Sequence, residues 1–167
     1  MSEPLLSAKE YAGIVLQLLA DHGYKPLSER ERVPSDEMLT ADQIRWQLKS
    51  ARLVFAGGRG LHTRETFQML QKLAARFGAE IAVTRPLVLD GLADEARMIG
   101  ITGVSIQPDV LLAAGISGSI QFMNGAKNSR HIIAINSNRN SQIFRYAEHA
   151  FCTDAEQVLR EMILLTE

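Results

Sequence analysis

The sequence is poor in several features that would define its class directly. Its single cysteine, Cys152, excludes an internal disulfide framework and a cysteine-rich metal or iron–sulfur site. The formal net charge is −1 and the basic residues are scattered, so the chain lacks a basic surface for nucleic acid. The apolar stretch at residues 13–20 is too short to span a bilayer, and residues 1–4 carry no basic leader. These absences predict a cytoplasmic protein that binds neither nucleic acid nor a membrane.

Recognisable catalytic constellations are missing as well. The histidines stand in no spacing, with carboxylates or with each other, that indicates a metal site; they are His22, His62, His131 and His149. No order of serine, histidine and aspartate supports hydrolysis. His62 differs from the others only because it adjoins a glycine-rich turn. The sequence therefore predicts no catalytic acid–base pair and no metal centre.

Glycine is concentrated in one region. With 167 residues, 46% of them apolar, the chain can form one domain with a full core. Two glycine-rich turns, residues 57–60 and 115–118, each follow an apolar run. Such a turn between a strand and a helix lets the main chain approach a phosphate. Neither turn has the glycine spacing of the NAD fingerprint or of the P-loop, so other residues must specify the nucleotide.

From residue 52 onward, short apolar runs alternate with amphipathic segments. The predicted strands cover residues 53–56, 80–84, 109–114, 132–136 and 150–153, and the predicted helices cover residues 63–77, 118–124 and 155–165. This alternation predicts an α/β fold with a Rossmann-like parallel sheet and helices on both faces. Ligands bind such sheets at the carboxyl ends of the strands, where both glycine turns lie.

Residues 1–47 differ in kind and are predicted to be a helical extension and linker before a domain of residues 48–167. Residues 8–22 have the apolar spacing of an amphipathic helix that ends at Gly23. Residues 24–40 contain two prolines and are expected to lack regular structure. A second helix is predicted at residues 41–50, with Thr40 or Asp42 as its cap. The first helix must pack on this chain or on a second copy.

Several motifs occur in order between residues 48 and 165. They are Gly-Gly-Arg-Gly at 57–60, Thr-Arg-Pro at 84–86, Ile-Gly-Ile-Thr-Gly at 99–103, Pro-Asp at 108–109, Gly-Ile-Ser-Gly-Ser-Ile-Gln at 115–121, Ala-Ile-Asn at 134–136 and Thr-Asp at 153–154. Together they resemble the C-terminal, FAD-binding domain of the electron transfer flavoprotein alpha subunit. The resemblance implies that family's Rossmann-like fold, FAD as the cofactor and a role in electron transfer.

The resemblance also implies which residues contact the cofactor. Arg59, between Gly58 and Gly60, matches an arginine that reaches the phosphates, a role that suits a planar guanidinium. Thr84 and Arg85 match a pair that lies against the flavin, where a cation raises the reduction potential. The other matched positions are Gly100, Ile101, Thr102, Gly115, Ser117, Gly118, Ser119, Gln121, Phe122, Asn136, Asp154 and Ala155. Asp154 also suits a helix cap, and the two roles are compatible.

Three positions depart from the family's usual pattern. Phe122 stands where the family has a histidine that helps to stabilise negative charge on the reduced flavin. Ile101 replaces a glutamine, and Leu89 replaces an aspartate. Each change removes a polar group near the flavin or its supporting loops. The departures are compatible with cofactor binding but put the redox tuning in question.

Three hypotheses for function remain open at this point. The first is an FAD-binding electron carrier or a subunit of a flavoprotein complex, rather than a stand-alone enzyme. The second, which Phe122 and Ile101 favour, is a non-redox module that binds FAD or AMP for structural or regulatory purposes. The third and weakest is an enzyme on the related NAD-binding architecture.

The expected partners follow from the length of the chain. Because only residues 1–47 precede the matched region, the sequence favours a stand-alone domain without the family's N-terminal domain. Its partner would then be a beta-type subunit, another redox protein or a second copy of the chain in a homodimer.

Overall fold

The computed structural model describes residues 5–32 and 38–167. The expectations for residues 1–4 and for the linker around Pro34 lie outside these residues. The helices are α1 (Ala8–Asp21), α2 (Ala41–Ser50), α3 (Arg64–Phe77), α4 (Arg85–Leu89), α5 (Ile120–Ala126) and α6 (Ala155–Leu165). The strands are β1 (Leu53–Gly57), β2 (Glu80–Val83), β3 (Val110–Ala114), β4 (His131–Asn136) and β5 (His149–Cys152). Within the described ranges, no helix has the length and apolar character needed to cross a bilayer.

The strands form one parallel sheet in the order β2-β1-β3-β4-β5. Phe55 of β1 is aligned with Ile81 of β2 on one side and with Leu112 of β3 on the other. The chain thus passes from β1 outward to β2 and then returns to the far side of β1, so the strand order reverses between β1 and β3. The Rossmann-like parallel sheet predicted from the sequence is confirmed.

Helices cover both faces of this sheet. On one face, Phe55, Leu112 and Ile133 are buried beneath α1, α3 and α6. On the other face, Val54 and Leu111 are buried beneath α2 and α5. Because successive side chains of a strand point to opposite faces, covering both faces requires that every position be apolar. This explains why the strands are continuous apolar runs rather than alternating ones.

Capping residues determine where the helices begin. Ser7 and Thr40 open α1 and α2 with reciprocal capping boxes, in which the cap hydroxyl accepts a backbone N–H three residues on. Thr40, and not Asp42, is therefore the cap of α2. The predicted bounds of α2 and α6 are confirmed. The predicted start of α5 at Gly118 is wrong, because Ser119 is the cap and the helix begins at Ile120.

The N-terminal helix α1 is part of the same core as the sheet. Ala12, Val15 and Leu19 are fully buried and pack against α6. Tyr11 contacts Phe151 of β5 edge-on, with ring centroids 5.9 Å apart. Most of the apolar face predicted for this helix is therefore covered within the chain, whereas Ile14 is exposed. The division at residue 48 stays a prediction.

The packing of α1 is testable with one pair of substitutions. Leu19→Ala removes a buried side chain, and we expect the free energy of unfolding to fall by about 2–5 kcal/mol. Ile14→Ala on the same helix, at a side chain that is 38% exposed, serves as the control and should change it by less than about 1 kcal/mol. Urea denaturation followed by circular dichroism measures both. Equal losses in the two variants would contradict the packing of α1 on the core.

Candidate nucleotide-binding site

Both glycine turns lie where the strand order reverses. β1 ends at Gly57 and β3 ends at Ala114, and these two residues are paired neighbours in the sheet. Parallel pairing therefore brings the carboxyl ends of the two strands, and the turns that follow, to the same edge. This is the crevice in which doubly wound sheets bind their ligands.

The two turns dock on each other through Gly60 and Gly115. The Gly60 N–H donates to the Gly115 carbonyl at 2.9 Å, and the Gly58 N–H donates to the Ala114 carbonyl at 3.1 Å. A Cβ atom on Gly60 would lie 2.6 Å from the Gly115 Cα, closer than side chains approach. Gly115 also has a φ of +66°, which is costly for any residue with a side chain. The glycines thus serve the contact between the turns, a role that sequence analysis had not assigned to them.

A cleft of about 530 Å³ opens at this edge, which is an ordinary size for a small-molecule site. It is bounded by both glycine turns, the start of α4, the loop at residues 98–102 and the segment that follows β4. The predicted site residues that line it are Arg59, Gly60, Thr84, Arg85, Gly100, Ile101, Thr102, Gly115, Ser117, Ser119, Gln121, Phe122 and Asn136. Five separate segments of the chain thus meet in one cavity.

The other predicted site residues lie outside this lining. Gly58 and Gly118 are buried within the two turns. Asp154 caps α6, where its carboxylate accepts the Glu156 N–H at 2.9 Å, and Ala155 follows it as the buried first residue of the helix. The capping role of Asp154 is therefore observed, and its contact with a ligand stays a prediction.

Sequence analysis missed several residues of the lining: Pro86, Met98, Ile99, Ile116, Asn138 and Ser141. Met98 and Ile99 reach the cleft because they run beside the end of β2, where the Ile99 N–H donates to the Val83 carbonyl at 3.0 Å. Asn138 and Ser141 had a signal in the sequence, since the chain that leaves the end of a predicted strand must pass the same edge.

Asn136 holds two of these segments together. Its Nδ2 donates to the Ile116 carbonyl at 2.9 Å, and its Oδ1 accepts the Asn138 N–H at 2.8 Å. The side chain thus joins the second glycine turn to the loop after β4. Within the described chain, the Asn136 amide therefore stabilises the wall of the cleft.

The charged side chains of the lining, counted over the described residues, are Arg59 and Arg85. Both residues are exposed, and neither guanidinium takes part in an ion pair with another described residue. Thr84 precedes α4, but its hydroxyl makes no capping hydrogen bond. Two cations and a hydroxyl therefore remain available to an anionic ligand.

The second glycine turn also offers backbone donors. Among the residues that the structure describes, the N–H groups of residues 116–119 donate to no other backbone group. The turn is nevertheless held in place, because the Ser117 carbonyl accepts the Ile143 N–H at 2.9 Å. Unpaired donors in a fixed turn are suited to phosphate oxygens.

Parts of the wall are apolar. Phe122 of α5 is 3% exposed and packs into the core, whereas Ile101 is 59% exposed at the mouth of the cleft. The loop that carries Ile101 is fixed by a hydrogen bond, in which the Ile101 N–H donates to the Gln121 carbonyl at 3.1 Å. The lining thus offers both cationic and polar groups and apolar surface, which suits a ligand that carries phosphates and a flat ring.

The fold and the cleft define the class: a doubly covered parallel α/β domain with a candidate nucleotide site at the switch point of its sheet. The family model of the electron transfer flavoprotein FAD-binding domain matches residues 47–127. The chain therefore belongs to the electron transfer flavoprotein alpha family, as its motifs indicated. The match includes both glycine turns and the loop at residues 98–102.

Relatives with curated names agree with this family. The chain is 36% identical to protein FixB of Azorhizobium caulinodans over 154 residues, which is 80% of this chain and 42% of FixB. It is 38% identical to the electron transfer flavoprotein subunit alpha of Paracoccus denitrificans over 128 residues, 77% of this chain and 41% of that subunit. The electron transfer flavoprotein subunit alpha of Bacillus subtilis is 40% identical over 128 residues, which is 77% of this chain and 38% of that subunit. The chain thus spans less than half the length of each.

The contact between the turns is testable by substitution of glycine. In Gly115→Ala, the new Cβ would lie 2.7 Å from the Gly60 Cα, and we expect the free energy of unfolding to fall by about 2–4 kcal/mol from strain and overpacking. Gly91→Ala is the matched control, because Gly91 has a φ of +73° with open space around it. Its cost should be about 1–2 kcal/mol, the backbone strain alone. Thermal and urea unfolding measure both, and equal costs would mean that the turns do not depend on the close approach.

Proposed function

We propose that this cleft binds FAD and that the protein acts as an electron carrier or as a subunit of a flavoprotein complex. The observation that carries the proposal is a pair of guanidiniums and a set of backbone donors that have no partner among the described residues, at the switch point of a domain whose family is described as FAD-binding. The donor set fits a dinucleotide, because its diphosphate requires cations and N–H groups while its ring requires a flat apolar wall.

The residues of the cleft divide into two groups by the chemistry they offer. Arg59 and the N–H groups of residues 116–119 would bind the phosphates, since planar guanidinium donors and backbone amides suit phosphate oxygens. Thr84 and Arg85, at the start of α4, would lie along the flavin with Thr102. Asn136 and Asp154, at the ends of β4 and β5, are proposed for the adenosine half.

FAD, when bound, would accept and donate electrons, and the protein would supply binding, orientation and electrostatics. Reduction adds negative charge, which a nearby cation stabilises by Coulomb attraction in a partly dry site. Arg85 is the cation that we propose for this task. Phe122 and Ile101 offer no hydrogen-bond donor from their side chains, so the burden of stabilising charge would fall on Arg85 and on backbone N–H groups.

We further propose a cytoplasmic location and a protein partner for electron exchange. The single cysteine is consistent with a reducing compartment. The relatives from Paracoccus denitrificans and Bacillus subtilis are named as alpha subunits of electron transfer flavoproteins. A beta-type subunit is therefore the first partner to test, with a homodimer or another redox protein as the other outcomes.

FAD binding is tested by titrating the purified chain and following the quenching of flavin fluorescence. We expect saturation at one FAD per chain, and we expect Arg59→Ala to weaken binding by roughly 10- to 100-fold, the value of a charged hydrogen bond. Arg45→Ala is the matched control, because Arg45 lies on α2 in an exposed pair with Asp42. This variant should bind FAD as the wild type does. No binding by the wild type, or tighter binding of AMP than of FAD, would reject the proposal.

The role of Arg85 is tested by the midpoint potential of the FAD-loaded protein. We expect Arg85→Ala to lower the potential by an amount on the order of tens of millivolts, because one cation near the added charge is lost. Arg85→Lys keeps the charge and should restore most of the difference. A potential that is the same in all three proteins would remove Arg85 from this role without affecting the assignment of the cleft.

A further inference from the structure

Three side chains that can bind metal meet at the opposite edge of the sheet. His22 follows the last residue of α1, His131 is the first residue of β4, and Glu148 immediately precedes β5. One ligand atom from each lies within 4.8 Å of the others. Sequence analysis predicted no metal site, because these residues are far apart in the chain. We propose that His22, His131 and Glu148 form a site for a divalent transition-metal ion, with Zn²⁺ as its representative.

The geometry of the three groups is close to that of a coordination sphere. The rings of His22 and His131 have centroids 4.2 Å apart and are tilted by 38°. The Nδ1 atom of His131 is hydrogen-bonded to Oε2 of Glu148 at 2.5 Å. In a tetrahedral zinc site with bonds of about 2.0–2.1 Å, ligand atoms lie about 3.3 Å apart. Coordination would require side-chain rotations that shorten the larger separations and lengthen the contact between His131 and Glu148.

The backbone around the cluster is fixed by hydrogen bonds. The His131 N–H donates to the Asp109 carbonyl and the Glu148 N–H to the Ile132 carbonyl, each at 2.9 Å. The N–H of His22 is bound by carbonyls of the last turn of α1. Three ligands on rigid elements lose little conformational freedom when they bind a metal ion.

The electrostatics of this edge favour a cation. The C-terminus of α1 carries the negative end of the helix dipole, and its last turn contains no basic side chain that would neutralise it. The Glu148 carboxylate adds a negative charge beside two imidazoles. The helix dipole and the Glu148 carboxylate thus attract a cation, although Arg130 directly precedes His131 in the chain.

The donor set specifies the class of metal. Two imidazole nitrogens and one carboxylate suit Zn²⁺ and similar transition-metal ions, whereas Ca²⁺ and Mg²⁺ require oxygen ligands. The side chains of His131 and Glu148 are 29% and 49% exposed, so water can reach the remaining coordination position. A bound ion would join the end of α1 to the starts of β4 and β5 and would stabilise the folded chain.

The test is a zinc titration of the full chain against a chromophoric chelator. We expect one Zn²⁺ per chain, and we expect His22→Gln and Glu148→Gln each to weaken binding by roughly tenfold or more, since a site with three ligands loses one. Glutamine keeps the size of the side chain. The matched control is His62→Gln, an exposed histidine beside the first glycine turn, which should leave zinc binding unchanged.

Thermal unfolding gives a second measurement that does not depend on the chelator. Zn²⁺ should raise the Tm of the wild type and of His62→Gln but not that of His22→Gln, and all three should have the same Tm in EDTA. The proposal is overturned if the wild type binds no stoichiometric Zn²⁺, which would leave the cluster as a hydrogen-bonded pair with a stacked ring. Unchanged zinc binding in His22→Gln would overturn it as well. FAD binding is measured separately and is not expected to respond.

Discussion

The close approach of Gly60 to Gly115 is the constraint on which the rest of the site depends. Neighbouring parallel strands separated by less than 5 Å deliver their turns to the same small volume, so two turns with side chains would collide there. With glycine in both, the Gly60 N–H can bond to the Gly115 carbonyl at 2.9 Å. This bond satisfies polar groups of the two turns and fixes their relation. The cleft, Arg59 and the backbone donors of the second turn are all placed relative to that contact.

Hydrogen bonds also hold the other walls of the cleft, two of them between main-chain groups and one from the Asn136 side chain. The loop at residues 98–102 is bound to α5 through Ile101, the second turn to the segment at residues 142–145 through Ser117, and the end of β4 to the second turn through Asn136. Apart from Asn136, the side chains that line the cleft make none of these wall contacts. For this reason Phe122 and Ile101 can differ from the histidine and glutamine of the family's usual pattern without changing these contacts. What such replacements change is the electrostatic environment, and so the chemistry of a bound ligand rather than its place.

The sequence predicted most of the fold because its periodic signals are strong. Uniformly apolar strands and well-capped helices such as α2 and α6 are local features, and their bounds follow from local chemistry. The short helix α4 was not predicted, because five residues are too few to show a period. The glycine turns and strand ends indicated part of the cleft, and the family resemblance added residues outside them, such as Ile101 and Thr102. The meeting of His22 with His131 depends on how α1 lies on the sheet, which is a tertiary fact that no spacing along the chain expresses.

Helix dipoles present opposite ends at the two edges of the sheet, and the reason lies in the topology. In a parallel α/β unit, a helix that follows a strand runs back along it, so helix N-termini and their unpaired N–H groups gather at the carboxyl edge. Helix C-termini gather at the amino edge, and α1, which precedes β1, ends there as well. An anionic ligand is thus favoured at the edge with Arg59 and Arg85, and a cation at the edge with His22 and Glu148. The same topology that gathers helix N-termini at the candidate nucleotide cleft therefore places the C-terminus of α1 beside the proposed metal site.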